Sequence, residues 1–309
     1  MNIILSYKKH ECKGIEIPSY PFCFKNQLES LGHKVTCVGH GQEYSNIFHV
    51  NQKKYDVFID LDGGRTGEGK FNFQCETTKA QIPSAVWFID THGGGGHNAT
   101  LHKRLASNYD HVFFAVWDRR DIFTNHPSSH WLPNATDDHW FDSSLQDPWG
   151  SKPYDVGFFG SKGGLDRADI LKQVCTPRKL RYDIREIGAP FKPRWPRTAE
   201  SMAKCKLLYN QGQKHDGPNQ RVMEAMVMNI PLITNRDKRD GMDKLFKEGT
   251  HYLGFDSIST LGNQIDWCFE KENEPLLQSM AQRAYEEVKN KHLIYHRVKN
   301  ILEVLLNGI

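Results

Sequence analysis

From Lys214 to Met226 the chain reads K-H-D-G-P-N-Q-R-V-M-E-A-M, and residues 229–234 continue as N-I-P-L-I-T. This stretch predicts a helix that begins after a polar loop and ends before a buried strand. Pro218 suits the first helical position, because its φ is already helical and its missing N–H would have no intrahelical partner there. We expect Gly217 to cap this helix.

Two carboxylates flank the predicted helix start. The amides of Asn219 and Gln220 are free in the first turn, and a helix end of this kind binds anions. Glu224 lies about two turns inside, where its carboxylate can accept hydrogen bonds from neutral hydroxyls, while Asp216 lies in the loop before the cap. A ligand that carries both a phosphate and sugar hydroxyls satisfies this arrangement.

The spacing of Asp216 and Glu224 resembles the D/E-x7-E signature of group 1 GT-B glycosyltransferases, in particular their CgeB-like branch, in which a DGPN-x-R-x-x-EA run is typical. Residues 154–161, YDVGFFGS, resemble the first strand of that family's second domain. Residues 292–302, HLIYHRVKNIL, resemble its closing helix. The resemblance implies an α/β protein with two Rossmann-like, doubly wound domains that face a central cleft, and a C-terminal helix that returns to the N-terminal domain.

The bulk properties agree with a protein of two ordinary domains. The chain has 309 residues, a formal net charge of +3 and 25% charged residues, and no apolar run long enough to span a bilayer. The cysteines are dispersed, odd in number and form no C-x-x-C pair, which indicates neither a disulfide framework nor a zinc site. We expect a cytoplasmic location.

The amino-terminal residues predict a right-handed βαβ unit. An apolar run at residues 2–6 precedes an amphipathic segment at residues 20–31, which ends at Gly32 and leads into a second apolar run at residues 33–38. Further buried strands are predicted at residues 56–60, 85–90 and 111–115. All fit one doubly wound sheet.

An acidic, non-periodic segment with Pro and Gly, Asp137 to Pro153, predicts a linker. We therefore predict an acceptor-side domain at residues 1–150, a nucleotide-sugar-binding domain at residues 151–290, and a returning helix at residues 291–309. The second domain has predicted strands at residues 156–160, 206–210 and 231–234, and predicted helices at residues 167–175, 198–204 and 219–228. A long last helix, residues 276–306, has a predicted break near His292.

Ligands of open α/β sheets lie beyond the carboxyl ends of the strands. The loop after Gly160 combines Ser161 and Lys162 with glycines and ends at Arg167. By resemblance, the cations of this loop bind the donor diphosphate, with Arg221 as a further candidate. The alternative is a surface turn with ordinary charges.

By the same resemblance, Glu224 holds the donor ribose hydroxyls and Asp216 faces hydroxyls of the transferred sugar. The backbone from Gly217 through Pro218 to Asn219 would then approach the phosphates. The alternative for Glu224 is a simple ion pair with Arg221 on the same helix.

On the acceptor side, Asp90 and His92 follow a predicted strand and precede four consecutive glycines. Asp90 could deprotonate an acceptor hydroxyl and His92 could hydrogen-bond the sugar or a phosphate. The alternatives are a loop without a functional role or a metal site, although the GT-B group generally binds no metal. Gly14 is the residue after the first strand that matches the family's donor loop. Asp60 and Asp62 indicate a turn, or else a metal or acceptor site.

These residues favour transfer of a sugar from a nucleotide-diphosphate donor, with a UDP-sugar preferred and no cofactor, to an acceptor hydroxyl. The resemblance implies retention, whereas a base at Asp90 would permit inversion. The acceptor is a surface polymer or a hydroxymethylated DNA base, because residues 178–206 form a basic segment whose alternative is a solvated surface. A nucleotide-sugar 2-epimerase and a non-catalytic nucleotide-sugar binder are the other hypotheses.

Overall fold

The computed structural model describes residues 1–9, 11–12, 15–61, 74–75, 77–89, 97–160, 166–186, 194–212, 218–236 and 241–307. The chain divides into two compact units. Unit 1 comprises Met1–Asn134 with Ile294–Ile309, and unit 2 comprises Ala135–Leu293. The domain limits predicted at residues 150 and 290 stay predictions about which parts of the chain fold separately.

Unit 1 is built on a parallel sheet. Its described strands are β1 (Asn2–Ser6), the hairpin β2 (Glu11–Cys12) and β3 (Ile15–Glu16), β4 (Lys34–Val38), β5 (Val57–Leu61), β6 (Ser84–Phe88), β7 (His111–Phe114) and β8 (Ser129–Trp131). The sheet order is β4-β1-β5-β6-β7-β8, and every pair in it is parallel. The order of the strands reverses at β1, which pairs with β4 on one side and with β5 on the other. In sheets of this kind the carboxyl ends at such a reversal form the usual ligand crevice.

The described helices of unit 1 are α1 (Tyr20–Ser30), α2 (His97–Ala106) and α9 (Ile294–Asn307). Helix α1 begins where the Ser19 hydroxyl accepts a hydrogen bond from the Phe22 N–H, and it is followed by Gly32 with a φ of 83°. Helix α9 packs against α1. The prediction that the closing helix returns to the N-terminal domain is therefore confirmed.

Unit 2 holds a second parallel sheet. Its described strands are β9 (Tyr154–Gly160), β10 (Tyr182–Glu186), β11 (Cys205–Asn210), β12 (Leu232–Asn235) and β13 (Leu253–Phe255). Its described helices are α3 (Arg167–Cys175), α4 (Arg194–Ala203), α5 (Gln220–Val227), α6 (Met242–Leu245), α7 (Ile258–Phe269) and α8 (Glu274–Lys291). The sheet order is β10-β9-β11-β12-β13, so the strand order reverses between β9 and β11.

Unit 2 buries a core on each face of its sheet. Because side chains alternate along a strand, neighbouring residues of β9 and β11 enter different cores. Phe159 and Leu208 pack with α4, α5 and α8, whereas Phe158 and Leu207 pack with α3 and α7. Helices on both faces explain why these strands read as nearly continuous apolar runs, and they confirm the predicted doubly wound architecture.

The strands predicted from apolar runs all exist, whereas β2, β3, β8, β10 and β13 were missed. Strand β10, Y-D-I-R-E, lies at the edge of its sheet and its Ile184 is only half-buried, so its sequence lacks an apolar run. The predicted break in the last helix is confirmed, since α8 ends at Lys291 and α9 begins at Ile294. Among the described helices, none is long and apolar enough to cross a membrane.

Strand β9 requires glycine at position 157. A Cβ added to Gly157 would lie 2.5 Å from the Cys205 sulfur and 2.7 Å from Cε2 of Phe159. We therefore expect Gly157→Ala to lower the free energy of unfolding by about 1–3 kcal/mol through overpacking. Gly150→Ala is the matched control, because nothing lies within 4 Å of its added Cβ. Urea unfolding of both variants checks this, and equal stability of the two would contradict it.

Candidate functional site

Helix α5 begins at a side-chain cap. Asn219 is the cap residue, and its Oδ1 accepts a hydrogen bond from the Val222 N–H at 3.3 Å. The first helical residue is Gln220, so the prediction that Pro218 opens the helix behind a Gly217 cap is wrong by two residues. The physical reason is that Asn supplies a capping oxygen that glycine lacks.

A network of amides fixes this helix start to the ends of two strands. The Asn219 Nδ2 donates to Oδ1 of Asn210 at 3.2 Å, and the Asn210 Nδ2 donates to Oγ1 of Thr234 at 2.9 Å. Asn210 is the last residue of β11, and Thr234 lies near the end of β12. The N–H of Gly212 donates to Oδ1 of Asn235 at 2.7 Å. These residues were not predicted, although polar residues at the ends of apolar strands were visible in the sequence.

Glu224 is fully buried on α5. Its Oε2 forms an ion pair with Nη1 of Arg221, one helical turn earlier, so the simple pair that was the alternative prediction does exist. The other oxygen, Oε1, is buried and has no hydrogen-bond partner among the described residues. Desolvation raises the pKa of Glu224 to about 7, against the lowering effect of Arg221. The ion pair therefore leaves half of this carboxylate unsatisfied.

Arg167 opens α3 and is nearly buried, with 5% of its surface exposed. Its Nη1 donates to the Gln211 carbonyl at 3.0 Å, and its guanidinium carbon lies 5.6 Å from the centre of the Phe158 ring. The side chain of Gln211 accepts from the Tyr209 hydroxyl at 2.5 Å. Arg167 thus places a cation at the end of β11, beside the strand-order reversal of the sheet.

The structure brings the described site residues to one edge. Arg167 and Asn219 contact consecutive residues at the end of β11, Gln211 and Asn210. Pro218 is buried just before the cap. The other predicted site residues lie outside the described residues and stay predictions: Gly14, Asp90, His92, Ser161, Lys162, Asp216 and Gly217.

In unit 1, Asp60 lies at the strand-order reversal and is fully buried within β5. Its Oδ2 accepts hydrogen bonds from the Gln74 N–H at 2.9 Å and from the Tyr109 hydroxyl. Burial raises the pKa of Asp60 to about 7, and the hydrogen bonds from Gln74 and Tyr109 oppose the rise. Asp60 therefore anchors the chain at Gln74 and lies in the strand predicted at residues 56–60, while the turn predicted to follow it stays a prediction. Asp62 lies outside the described residues.

A polar cavity of about 350 Å³ lies near the carboxyl ends of β1 and β4. Within it the Tyr7 hydroxyl donates to Oε1 of Glu16 at 2.7 Å. Its charged lining residues are Lys9, Glu16, Lys25, Glu29 and Glu43. Three carboxylates against two ammonium groups suit a neutral ligand with many hydroxyls better than a polyanion.

The basic segment at residues 178–206 is neutralised in part where it is described. Four of its cations form ion pairs with carboxylates of unit 2. The pairs are Arg178 with Asp266, Arg181 and Lys206 with Asp155, and Arg185 with Asp183. Burial alone would raise the pKa of Asp155, but Arg181 and Lys206 hold it at about 2. These charges are engaged within the unit, which favours the solvated-surface interpretation over a nucleic-acid patch.

This chain resembles known proteins in two ways: part of its sequence matches one protein family, and its fold matches solved structures. Residues 167–303 match the family described as "Glycosyl transferase-like". No curated protein matches the sequence.

Solved structures match over nearly the whole chain. A glycosyltransferase from Rickettsia africae ESF-5 covers 98% of this chain and 97% of its own, with a TM-score of 0.63 and 9% identity. Anabaena Alr3699/HepE in complex with UDP-glucose covers 99% and 100%, with a TM-score of 0.63 and 16% identity. An alpha-glucosyltransferase in complex with UDP-glucose and DNA containing an abasic site covers 99% and 98%, with a TM-score of 0.67 and 10% identity.

These matches confirm two predictions. The solved structures, at identities this low, establish the GT-B fold, and the family match confirms the predicted enzyme class, a glycosyltransferase. The narrower assignment to the CgeB-like branch stays a prediction.

The raised pKa of Asp60 predicts a pH-dependent stability. Its carboxyl keeps its proton up to about pH 7 when folded and up to about pH 3.8 when unfolded, so stability falls as pH rises through this window. Between pH 5 and pH 8, Asp60 should lower the free energy of unfolding of the wild type by about 2–3 kcal/mol, and Asp60→Asn should lack this part of the fall. Urea unfolding of both proteins at the two pH values measures it.

The control is Asp155→Asn, whose carboxyl has a pKa of about 2 in the folded protein and is ionised in both states from pH 5 to pH 8. The free energy of unfolding that Asp155→Asn loses should be the same at pH 5 and at pH 8. An Asp60→Asn variant that loses as much stability as the wild type over this range would refute the assignment.

Proposed function

We propose that this glycosyltransferase of the GT-B fold moves a sugar from a UDP-sugar to an acceptor hydroxyl. The observation that carries the proposal is Glu224, which is fully buried and keeps one carboxylate oxygen without a partner among the described residues. A buried carboxylate oxygen that accepts no hydrogen bond lowers the stability of the folded protein. Donation from the ribose hydroxyls of the donor would satisfy it.

The donor diphosphate belongs at the start of α5. The Asn219 side chain occupies the Val222 N–H, while the N–H groups at the helix start and the helix dipole attract an anion. Arg167 supplies a positive charge at the end of β11, to which the start of α5 is also bonded, and Lys162 is proposed to act with it. Together these groups would stabilise the charge that develops on the leaving nucleotide.

The reaction requires no enzyme nucleophile. The acceptor oxygen forms a bond to the anomeric carbon, the bond between that carbon and the donor phosphate oxygen breaks, and the electron pair leaves with UDP. With retention, which we propose from the spacing of Asp216 and Glu224, the acceptor attacks from the face that the diphosphate leaves. The acceptor proton then passes to a phosphate oxygen of the departing UDP.

We propose a saccharide hydroxyl as the acceptor, in keeping with the predicted surface polymer. The polar cavity beside Tyr7 carries more carboxylates than ammonium groups, and four cations of the basic segment are already ion-paired. Anabaena HepE is a solved relative in fold that was found in complex with UDP and glucose. A DNA acceptor, which another relative in fold suggests, would need a surface of positive charge.

A panel of UDP-, GDP-, ADP- and CMP-linked sugars tests the donor by thermal shift, because a ligand of the folded state raises its melting temperature. We expect a UDP-sugar to give the largest shift. Glu224→Gln should weaken its affinity about 10- to 100-fold through loss of a charge-assisted hydrogen bond. Glu286→Gln, at an exposed position on α8, is the control and should bind normally. Unchanged donor affinity in Glu224→Gln would reject the site.

Product analysis separates the reaction classes. Incubation with labelled UDP-sugar and a saccharide acceptor should release UDP and form a glycoside that retains the anomeric configuration of the donor. An altered sugar still attached to UDP would indicate an epimerase, and binding with no release of UDP would indicate a non-catalytic binder.

The acceptor class has its own test. We expect no salt-sensitive binding to duplex DNA at low ionic strength, with or without hydroxymethylated bases. Affinity that falls steeply between 50 and 200 mM salt, on the order of 10³-fold or more, would reverse the choice in favour of DNA.

A further inference from the structure

Arg221 lies in the candidate site without the geometry expected of a phosphate ligand. It was predicted as a further cation for the donor diphosphate, yet its Nη1 is paired with Oε2 of Glu224. The same nitrogen lies 4.0 Å from the sulfur of Met202 on α4. With 21% of its side chain exposed, Arg221 is held between its own helix and α4. Its charge is therefore directed at Glu224.

The burial of Glu224 explains why this pairing matters. A carboxylate taken out of water tends to keep its proton unless a nearby cation stabilises the ionised form. The residues that surround α5 in its core are apolar, and include Met202, Ala284 and Val288. Among the described residues, Arg221 forms the one ion pair of Glu224 and is the one charged group that lowers its pKa.

The two carboxylate oxygens have different surroundings. Oε2 is fixed by the guanidinium, while Oε1 is buried without a partner in the described part of the chain. Since Arg221 and Glu224 are three residues apart on one helix, the pair orients the carboxylate relative to α5. An ionised carboxylate only accepts hydrogen bonds, whereas a protonated carboxyl group also carries an O–H that needs an acceptor.

We propose that Arg221 is a positioning residue that orients Glu224 and favours its ionised form, so that its free oxygen selects a donor with a ribose diol over one that lacks the ribose hydroxyls. This inference rests on the proposed function, because it concerns the same donor site. Arg221 acts through Glu224 and does not contact the diphosphate.

Binding of two nucleotides by isothermal titration calorimetry tests the role of Arg221. UDP and 2′,3′-dideoxy-UDP carry the same base and diphosphate and differ only in the ribose hydroxyls. We expect the wild type to prefer UDP by about 10-fold or more, since a hydrogen bond to a charged group contributes about 1.5–3 kcal/mol. Arg221→Met and Glu224→Gln should both lose this preference. Arg221→Lys should keep more of the preference than Arg221→Met does.

Each other outcome overturns a different statement. If Arg221→Met weakens UDP and dideoxy-UDP equally and keeps the preference, Arg221 contacts the diphosphate and the inference is wrong. If Glu224→Gln loses the preference but Arg221→Met behaves as the wild type, the inference fails while the proposed function stands. If the wild type has no preference, or Glu224→Gln keeps it, the proposed donor site itself fails.

A matched variant controls for general damage. Arg178→Met removes another ion-paired arginine of unit 2, the partner of Asp266, and should leave the preference unchanged. Should Arg221→Met not fold, the pH dependence of Arg221→Lys provides the test. Lysine lacks the planar guanidinium and should favour the ionised form of Glu224 less strongly than arginine does. As the pH is lowered, Glu224 should therefore take up its proton, and the preference for UDP should disappear, at a higher pH in Arg221→Lys than in the wild type. An identical pH profile in the two proteins would reject the positioning role.

Discussion

The parallel pairing of β9 with β11 is the constraint on which the rest of unit 2 depends. At this pair the strand order reverses, so the chain leaving β9 turns to one face of the sheet and the chain leaving β11 turns to the other. Both connections begin at the same edge, because parallel strands end together. The start of α5 and the first residue of α3, Arg167, are therefore tied to adjacent residues at the end of β11.

The buried charges of unit 2 differ in how completely the protein satisfies them. Asp155 is paired with two cations and its pKa falls to about 2, whereas Glu224 has one cation and its pKa rises to about 7. Lys152 is buried as well, yet its ammonium donates to the side chain of Gln146 and to the Cys205 carbonyl. Glu224 keeps one buried oxygen without a partner among the described residues, as Asp60 does in unit 1, and at Glu224 we propose that a hydroxyl of the donor supplies the missing hydrogen bond.

Much of the fold followed from the pattern of residues. Apolar runs such as residues 2–6 and 156–160 predicted buried strands, because strands covered on both faces need apolar side chains at nearly every position. The polar edge strand β10 has no such run and escaped prediction. In the site, the spacing of the residues located Glu224 on the right helix, but the cap was misplaced because Gly217 was preferred over Asn219, whose oxygen does the capping.

The residue pattern was sufficient to predict most of the strands, the two doubly wound sheets and the helix that carries Glu224, since these depend on periodicity and on turn residues close together in the chain. The folded chain was needed to show that Asn210 and Thr234 hold the start of that helix, that Asp60 bonds Gln74 and Tyr109, and that Arg178 and Arg181 are engaged by carboxylates. These facts depend on which distant segments the sheets bring together. The pairing of polar side chains from distant segments is a property of that assembly, and local sequence does not encode it.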